Sequence, residues 1–403
     1  MIRTQFTWYM LGVTTFVIPM GIQTVLFPWL IVVELQESAA RLGIAQMSTQ
    51  LPGLCLILIG GVLADRVDAR RILVIIHVLA CLPAFILALM LWLGHLSYGL
   101  MIAYALLMGS VIAFAQPARD GMLNRIAAGR LQRTVTITMG LTFGAQIIGF
   151  VAAGFAERLG AEILLVGQGG ILLLGAYAAG RLQSCEPNMQ KGGSAIAEIK
   201  NGLVIIFESQ RMRSVIILLF FMSLFFGGAF IVLNPIIVRD VYAGGAVEIS
   251  MSFAAFMMGT IATTFMLLAI GGLRNPGRGL LLGLVLGGVV LGFSSLHLSF
   301  PGYLTSLFFW GVGGGVAMSM GRTLMQEWAP EDYRSRVMSV FSLANMGGMP
   351  IGALLMGYCA VWLGPLNSLL VAVAGVWMAA LFVVISSDLA LNRSLLAGSQ
   401  PEY

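Results

Sequence analysis

Gly60-Gly61-Val62-Leu63-Ala64-Asp65-Arg66-Val67-Asp68-Ala69-Arg70-Arg71 is the stretch on which the reading of this chain turns. Two acids and three arginines fall between Asp65 and Arg71, in a protein of which only 10% is charged. Apolar runs flank the cluster, near 42–64 and 71–93. A helix rises 1.5 Å per residue, so about 20 apolar residues cross a hydrocarbon core of about 30 Å. Each run is long enough to span. The charged stretch between them is too polar to enter lipid and too short to be a domain. It reads as a hinge joining two antiparallel membrane helices.

The same arithmetic, carried outward, predicts twelve spans, near 8–34, 42–64, 71–93, 98–118, 134–157, 161–183, 213–238, 248–271, 279–298, 302–325, 338–362 and 366–386. Composition agrees. The chain has 403 residues, 59% of them apolar, whereas a soluble protein is about 25% charged. Backbone polar groups inside a bilayer need internal partners, so the expected fold is an all-α membrane protein. The 50 glycines let such helices approach closely. The first apolar run, from about Thr7 to Val33, exceeds the roughly 7–15 residues of a signal-peptide core and is expected to remain as a span.

Charge sets the orientation. With the amino terminus inside, all but three of the 22 basic residues fall in cytoplasmic segments; the exceptions are Arg41, Arg158 and Arg239. This bias is the positive-inside rule, and it puts both termini in the cytoplasm. It also accounts for the net charge of +5 without a nucleic-acid partner. Cys55, Cys81, Cys185 and Cys359 form no close pairs and read as reduced packing residues. There is no G-x-x-x-x-G-K-[ST] phosphate loop, and His77, His95 and His297 are dispersed. The sequence therefore gives no sign of an ATP-driven pump, an enzyme, a metal site or a cofactor.

The longest polar segment, about Gln183 to Arg213, divides the chain near its middle, and residues 196–210 within it suit a short amphipathic helix on the membrane surface. The expected organisation is an amino-terminal six-helix bundle (1–183), a cytoplasmic linker (184–212) and a carboxy-terminal six-helix bundle with a short tail (213–403). The two bundles are expected to be pseudo-symmetric. A shift of 204 residues brings Arg130 onto Arg334, Gly144 onto Gly348, Ala156 onto Ala360 and Leu159-Gly160 onto Leu363-Gly364. Internal repeats of this kind are typical of secondary transporters.

The opening stretch resembles the signature of the major facilitator superfamily, G-x-L-a-D-R-x-G-R-R, through Gly61, Leu63, Asp65, Arg66 and Arg70. Asp68 stands where most members have Gly, as in the enterobactin-exporter and macrolide-efflux branch, which is of the transmembrane secretion effector type. Ala115-Gln116-Pro117-Ala118-Arg119 and the run from Gln326 through Pro330, Arg334 and Arg336 to Ser339 are similar to further segments of that branch. In helix 5, Gly149 and Ala152-Ala153 replace the Pro and Gly pair of antiporter members, while helix 11 keeps Gly348-Met349-Pro350-Ile351-Gly352.

Physical roles follow for the loop. Asp65, an acid at the cytoplasmic end of the second helix, suits the positive end of helix 11, which starts near Arg336; such a contact is favoured by roughly 0.3–1 kcal/mol. Gly61, Asp65, Arg66, Arg70, Arg119, Arg334 and Arg336 are thus candidates for a latch closing the cytoplasmic side. The competing readings are topology markers for the loop and an arginine snorkelling to lipid phosphates for Arg119. An acid kept in the bilayer implies use, since a charge at its centre costs about 2.5–3.5 kcal/mol. Glu34 and Asp120 are the proton-coupling candidates, both at helix ends. Gln23, Gln46, Gln50, Thr142, Gln146, Asn234, Arg322 and Asn345 are candidates to line a substrate cavity, with interhelical hydrogen bonding as the alternative for each.

The resemblance implies a secondary active transporter of the bacterial plasma membrane, acting as a monomer. It would export an amphipathic small molecule, such as a drug or siderophore-like compound, at the expense of a proton gradient. A metabolite importer of the same fold and a non-transporting sensor or assembly protein are the alternatives.

Overall fold

The computed structural model describes residues 2–126, 131–184 and 195–386. Among them there are helices and connecting turns and no strand. The long helices are α1 (Ile2–Trp29, continued by a π turn, Leu30–Glu34), α2 (Ala39–Arg66), α3 (Ala69–Trp92), α4 (Tyr98–Ile126), α5 (Leu131–Ala153), α6 (Ala161–Gly180), α7 (Gln210–Tyr242), α8 (Ala246–Ala269), α9 (Pro276–Ser294), α10 (Phe300–Trp328), α11 (Arg334–Leu363) and α12 (Pro365–Ser386). Ten of the helices in the described residues are long and apolar enough to cross a membrane. Within α5 the apolar part is shorter, Ile137–Ala153. The amphipathic segment of the linker is the helix Ala195–Glu208.

Helix ends differ from the sequence reading in a consistent direction. α4, α10 and α11 run several residues beyond their apolar stretches, to Ile126, to Trp328 and back to Arg334. Hydropathy marks where lipid contacts a helix; the hydrogen-bonded ladder continues through arginine and glutamate, which are good helix formers. α5 stops early, at Ala153, and a one-turn helix, Ala156–Leu159, follows it. Two consecutive π turns, Ser223–Gly227 and Ala229–Leu233, interrupt α7.

Successive helices alternate direction and give the molecule two ends. The linker end carries the amino terminus, the α2–α3 hinge and the start of the linker: the backbone N–H of Gln183 donates to Gln5 Oε1 at 2.8 Å, and Ser184 Oγ donates to Asp68 Oδ2 at 2.9 Å. The distal end carries the opposite turns, with Arg41, Arg158 and Arg239.

Packing within the first six helices is repeated among the last six. α1 packs on α5 and α6, α2 on α4, and α3 on α4 and α6; likewise α7 packs on α11 and α12, α8 on α10, and α9 on α10 and α12. Equivalent crossings use equivalent glycines. A Cβ on Gly149 of α5 would lie 2.8 Å from Gly21 Cα of α1, and one on Gly228 of α7 would lie 2.8 Å from Gly352 Cα of α11. Neither backbone can retreat, so only glycine permits these approaches. The Leu-Gly pairs matched in the sequence adopt one conformation: Gly160 has φ 92° and ψ 134°, and Gly364 has φ 81° and ψ 158°. Each begins the helix after a tight distal turn, in a region that disfavours a side chain.

Candidate functional site

The first six helices meet the last six chiefly along α2–α11 and α5–α8, with α1 also touching α8. At the distal end this boundary is closed. A Cβ on Gly43 would meet Ala353 O at 2.5 Å and Gly357 Cα at 3.2 Å, so α2 and α11 run backbone against backbone. Gln46 Nε2, buried, donates to Ile231 O at 3.1 Å, and Gln50 Nε2 donates to Met349 Sδ at 2.8 Å. Ser250 Oγ donates to Phe150 O at 2.6 Å, and the rings of Phe150 and Phe253 meet at a tilt of 38° with centroids 6.0 Å apart.

Charged groups seal the outermost layer. Arg239 Nη1 of α7 donates to Val32 O and to Glu37 O, both at 2.9 Å. Glu157 reaches the other way: its Oε1 accepts from Ala246 N, the first residue of α8, at 2.8 Å and from Trp29 Nε1 at 3.2 Å. A carboxylate at a helix amino terminus meets unsatisfied N–H groups and the positive end of the dipole. Glu248, within α8, takes the adjacent N–H of Gly245 at 2.8 Å.

Toward the linker end the same boundary opens into a cavity of about 450 Å³. Tyr9 and Val13 of α1, Gln116, Arg119 and Leu123 of α4, Thr138, Met139, Thr142 and Phe143 of α5, and Arg322 of α10 line it. Volumes of about 300–1,000 Å³ are usual for small-molecule sites. Arg119 is held in place: Nη2 donates to Gln116 Oε1 at 2.9 Å, its guanidinium lies 5.0 Å over the Phe16 ring, and its carbonyl accepts from Tyr9 at 3.0 Å. Behind Tyr9 and Arg119 a void of about 10 Å³ reaches His77. The His77 ring nitrogens lie 2.6 Å from Leu73 O and 3.2 Å from Gly12 O, tying α3 to α1.

The sequence candidates divide by position. Thr142 and Arg322 line the cavity. Gln46 and Gln50 sit in the distal closure. Asn234 is buried, donating to Ser252 Oγ at 2.9 Å and accepting from Tyr303 at 3.0 Å. Gln23 is buried, and its Oε1 has no hydrogen-bond partner among the described residues. Gln146 presses its carbonyl against Gly21, and the carbonyl of Asn345 accepts from Ser223 Oγ. Glu34 ends the π turn of α1, exposed at the distal end. The side chains of Gly61, Asp65, Arg66 and Asp120 lie outside the described residues, as does Arg130. Of the other latch candidates, Arg119 belongs to the cavity, and the Arg336 guanidinium sits 5.0 Å over the Tyr333 ring. The Arg336 carbonyl faces Gly202 of the linker helix, where a Cβ would be 2.7 Å away. Arg334 is exposed at the start of α11. The Arg70 N–H donates to Asp68 Oδ1 at 3.0 Å.

Three residues make contacts that the sequence does not announce. Asp68 caps α3 and also takes Ser184 of the linker, a double role that only the folded linker reveals. In the sequence, Glu157 reads as a lesser proton-coupling acid at a helix end and Arg239 as one of three basic residues outside the cytoplasmic segments. Their cross-boundary targets are backbone groups, which leave no mark in composition.

The comparisons agree with this geometry. The profile of the transmembrane secretion effector family matches residues 4–395. No curated protein matches the sequence. Among solved structures, a bacterial homologue of the human lysosomal transporter Spinster superposes with a TM-score of 0.75 at 13% identity, covering 100% of this chain and 98% of that one. The D-xylose-proton symporter gives 0.74 at 15%, covering 95% and 97%, and the nucleoside transporter NupG 0.72 at 13%, covering 96% and 98%. At these identities the likeness concerns the fold. Profile match, helical architecture and boundary cavity together place the chain in the transmembrane secretion effector family of the major facilitator superfamily.

Proposed function

We propose that the chain is a proton-coupled exporter of an amphipathic small molecule, working by alternating access in the plasma membrane of a bacterium. In this reading twelve spans form two pseudo-symmetric halves, 1–183 and 213–403, joined by the linker 184–212. The repeated Gly21–Gly149 and Gly228–Gly352 crossings support that division. So do the matching Gly160 and Gly364 turns. The positive-inside bias makes the linker end cytoplasmic, with both termini inside. The unit is a monomer.

One observation carries the proposal: the boundary between the halves is sealed at the distal end and open as a cavity at the linker end. This is the arrangement of an inward-facing state, poised to take substrate from the cytoplasm. Rocking of the halves would break the distal contacts and bring the α2–α3 hinge against α11. Asp65 is proposed as the acid of that inner latch, with Gly61, Arg66 and Arg70 shaping the hinge and Arg334 and Arg336 flanking the start of α11. Glu34 and Asp120 remain the acids proposed to carry the proton.

The test is flux in proteoliposomes with an imposed pH gradient. Movement of amphipathic solutes out of the compartment equivalent to cytoplasm, driven by inward protons, is expected. Uptake in the opposite direction would favour an importer, and no movement of any solute under any gradient would refute transport.

A further inference from the structure

We propose that the cavity selects amphipathic anions, with Arg322 and Arg119 gripping a carboxylate, phosphate or sulfonate head. This inference rests on reading the cavity as the substrate site. Two guanidinium groups line one cavity, and among the described residues no carboxylate lines it. They come from opposite halves at matching depth. α4 and α10 are each 29 residues long, and Arg119 and Arg322 stand about 9–11 Å from their linker-end termini by the helical rise.

The two arginines differ in a useful way. Arg119 is oriented by Gln116 and by the Phe16 ring, so its fork is fixed. Arg322 is exposed to the cavity and has neither hydrogen bond nor ion pair among the described residues. A guanidinium presents a planar fork that matches a carboxylate or phosphate in two parallel bonds. The remaining walls suit the rest of such a molecule. Thr138 and Thr142, one turn apart on α5, offer hydroxyls, while Val13, Leu123 and Phe143 supply apolar surface. Alternating access explains why the pair spans the boundary. An anion held by both halves couples its own presence to their relative position.

The experiment uses the purified full-length protein in lipid nanodiscs and two probes of equal size, naphthalene-2-carboxylate and naphthalene-2-carboxamide. Equilibrium dialysis at neutral pH is expected to give at least about tenfold tighter binding of the carboxylate, the range of charge-assisted hydrogen bonds. Arg322→Gln and Arg119→Gln each lower that preference about tenfold, while Arg322→Lys retains part of it. Added sulfate competes with the acid and not with the amide. Equal binding of acid and amide by the unmodified protein, or preference for the amide, overturns the proposal whether or not a variant folds. Arginines that only reach for lipid phosphates would give that equality. Flux separates the two readings. Acid bound selectively yet never moved would refute transport alone; amide and cations moved while the acid is ignored would refute anion selection alone.

Discussion

Replacing Glu157 by alanine tests the distal seal where it is simplest. The carboxylate holds Ala246 N of α8 at 2.8 Å across the boundary and Trp29 Nε1 at 3.2 Å on its own side. Glu157 is exposed, so the crossing bond contributes about 1 kcal/mol, below the roughly 1.5–3 kcal/mol of a charged acceptor shielded from water. The acid at a helix amino terminus adds about 0.3–1 kcal/mol. The loss is therefore about 1.5–2 kcal/mol, and the ratio of closed to open distal ends falls roughly ten- to thirtyfold. Glu157→Gln keeps an acceptor oxygen and loses only the dipole contribution, a shift of about threefold. Nitroxides at Gln36 and Val247, both exposed at the distal end on opposite sides of the boundary, report the change by electron–electron dipolar spectroscopy. The native cysteines are first replaced by serine. A longer-distance population should grow in the order native, Glu157→Gln, Glu157→Ala. Identical distance distributions in all three would mean that the carboxylate merely decorates a closure held elsewhere.

Three further outcomes follow from single contacts. Asp68→Ala removes the cap of α3 and the tie to Ser184, and the melting free energy should fall by about 1 kcal/mol or somewhat more, with Ser184→Ala reproducing only part of the loss. Gly352→Val drives a Cβ to 1.8 Å from Leu224 O and should cost at least about 1–3 kcal/mol, seen as a lower melting temperature, whereas Gly144→Ala, with open space around it, should melt like the native protein. Asp65→Asn should slow flux by weakening the inner latch without changing probe affinity in equilibrium dialysis; unchanged flux would assign the hinge to topology alone.

Much of the fold was legible because lipid imposes a coarse rule. A run of about 20 apolar residues must be a helix, and the hinge at Asp65–Arg71 must be a turn between two of them. The Leu159-Gly160 and Leu363-Gly364 match was legible for a sharper reason: a positive φ at a tight turn demands glycine, so the repeat preserves the letter. The site was less legible. Helical phase tells which residues share a face, not which neighbour that face meets. Thr142 and Asn234 were nominated on the same grounds, yet the structure turns Thr142 into the cavity and binds Asn234 between Ser252 and Tyr303. Gln46 spends its amide on Ile231 O, a backbone target that has no residue type to be recognised by. Tyr9 and Val13 line the cavity with side chains that would suit any membrane helix.

The distal closure itself bears on whether the molecule can cycle. Alternating access requires two states within a few kcal/mol of each other, so neither end can be sealed by contacts that are too strong. The outer layer of the observed seal is built from exchangeable polar contacts. Its crossing hydrogen bonds run from Arg239 to carbonyls of Val32 and Glu37 and from Ala246 N to Glu157, all at the rim, where water can replace each partner as it separates. The deeper layer sets glycine against backbone at Gly43–Gly357 beside the Gln50–Met349 and Phe150–Phe253 contacts. Buried crossing bonds are few, and Gln46 and Ser250 can exchange a lost carbonyl for water entering from outside. Within each set of six helices the same kind of close glycine contact recurs. Gly21 and Gly149, or Gly228 and Gly352, interlock backbones whose separation would leave voids in lipid. The glycine contacts are thus alike within each set and across the boundary, which is distinguished by its exchangeable rim, and an anion shared by Arg119 and Arg322 would add a crossing contact at its open end.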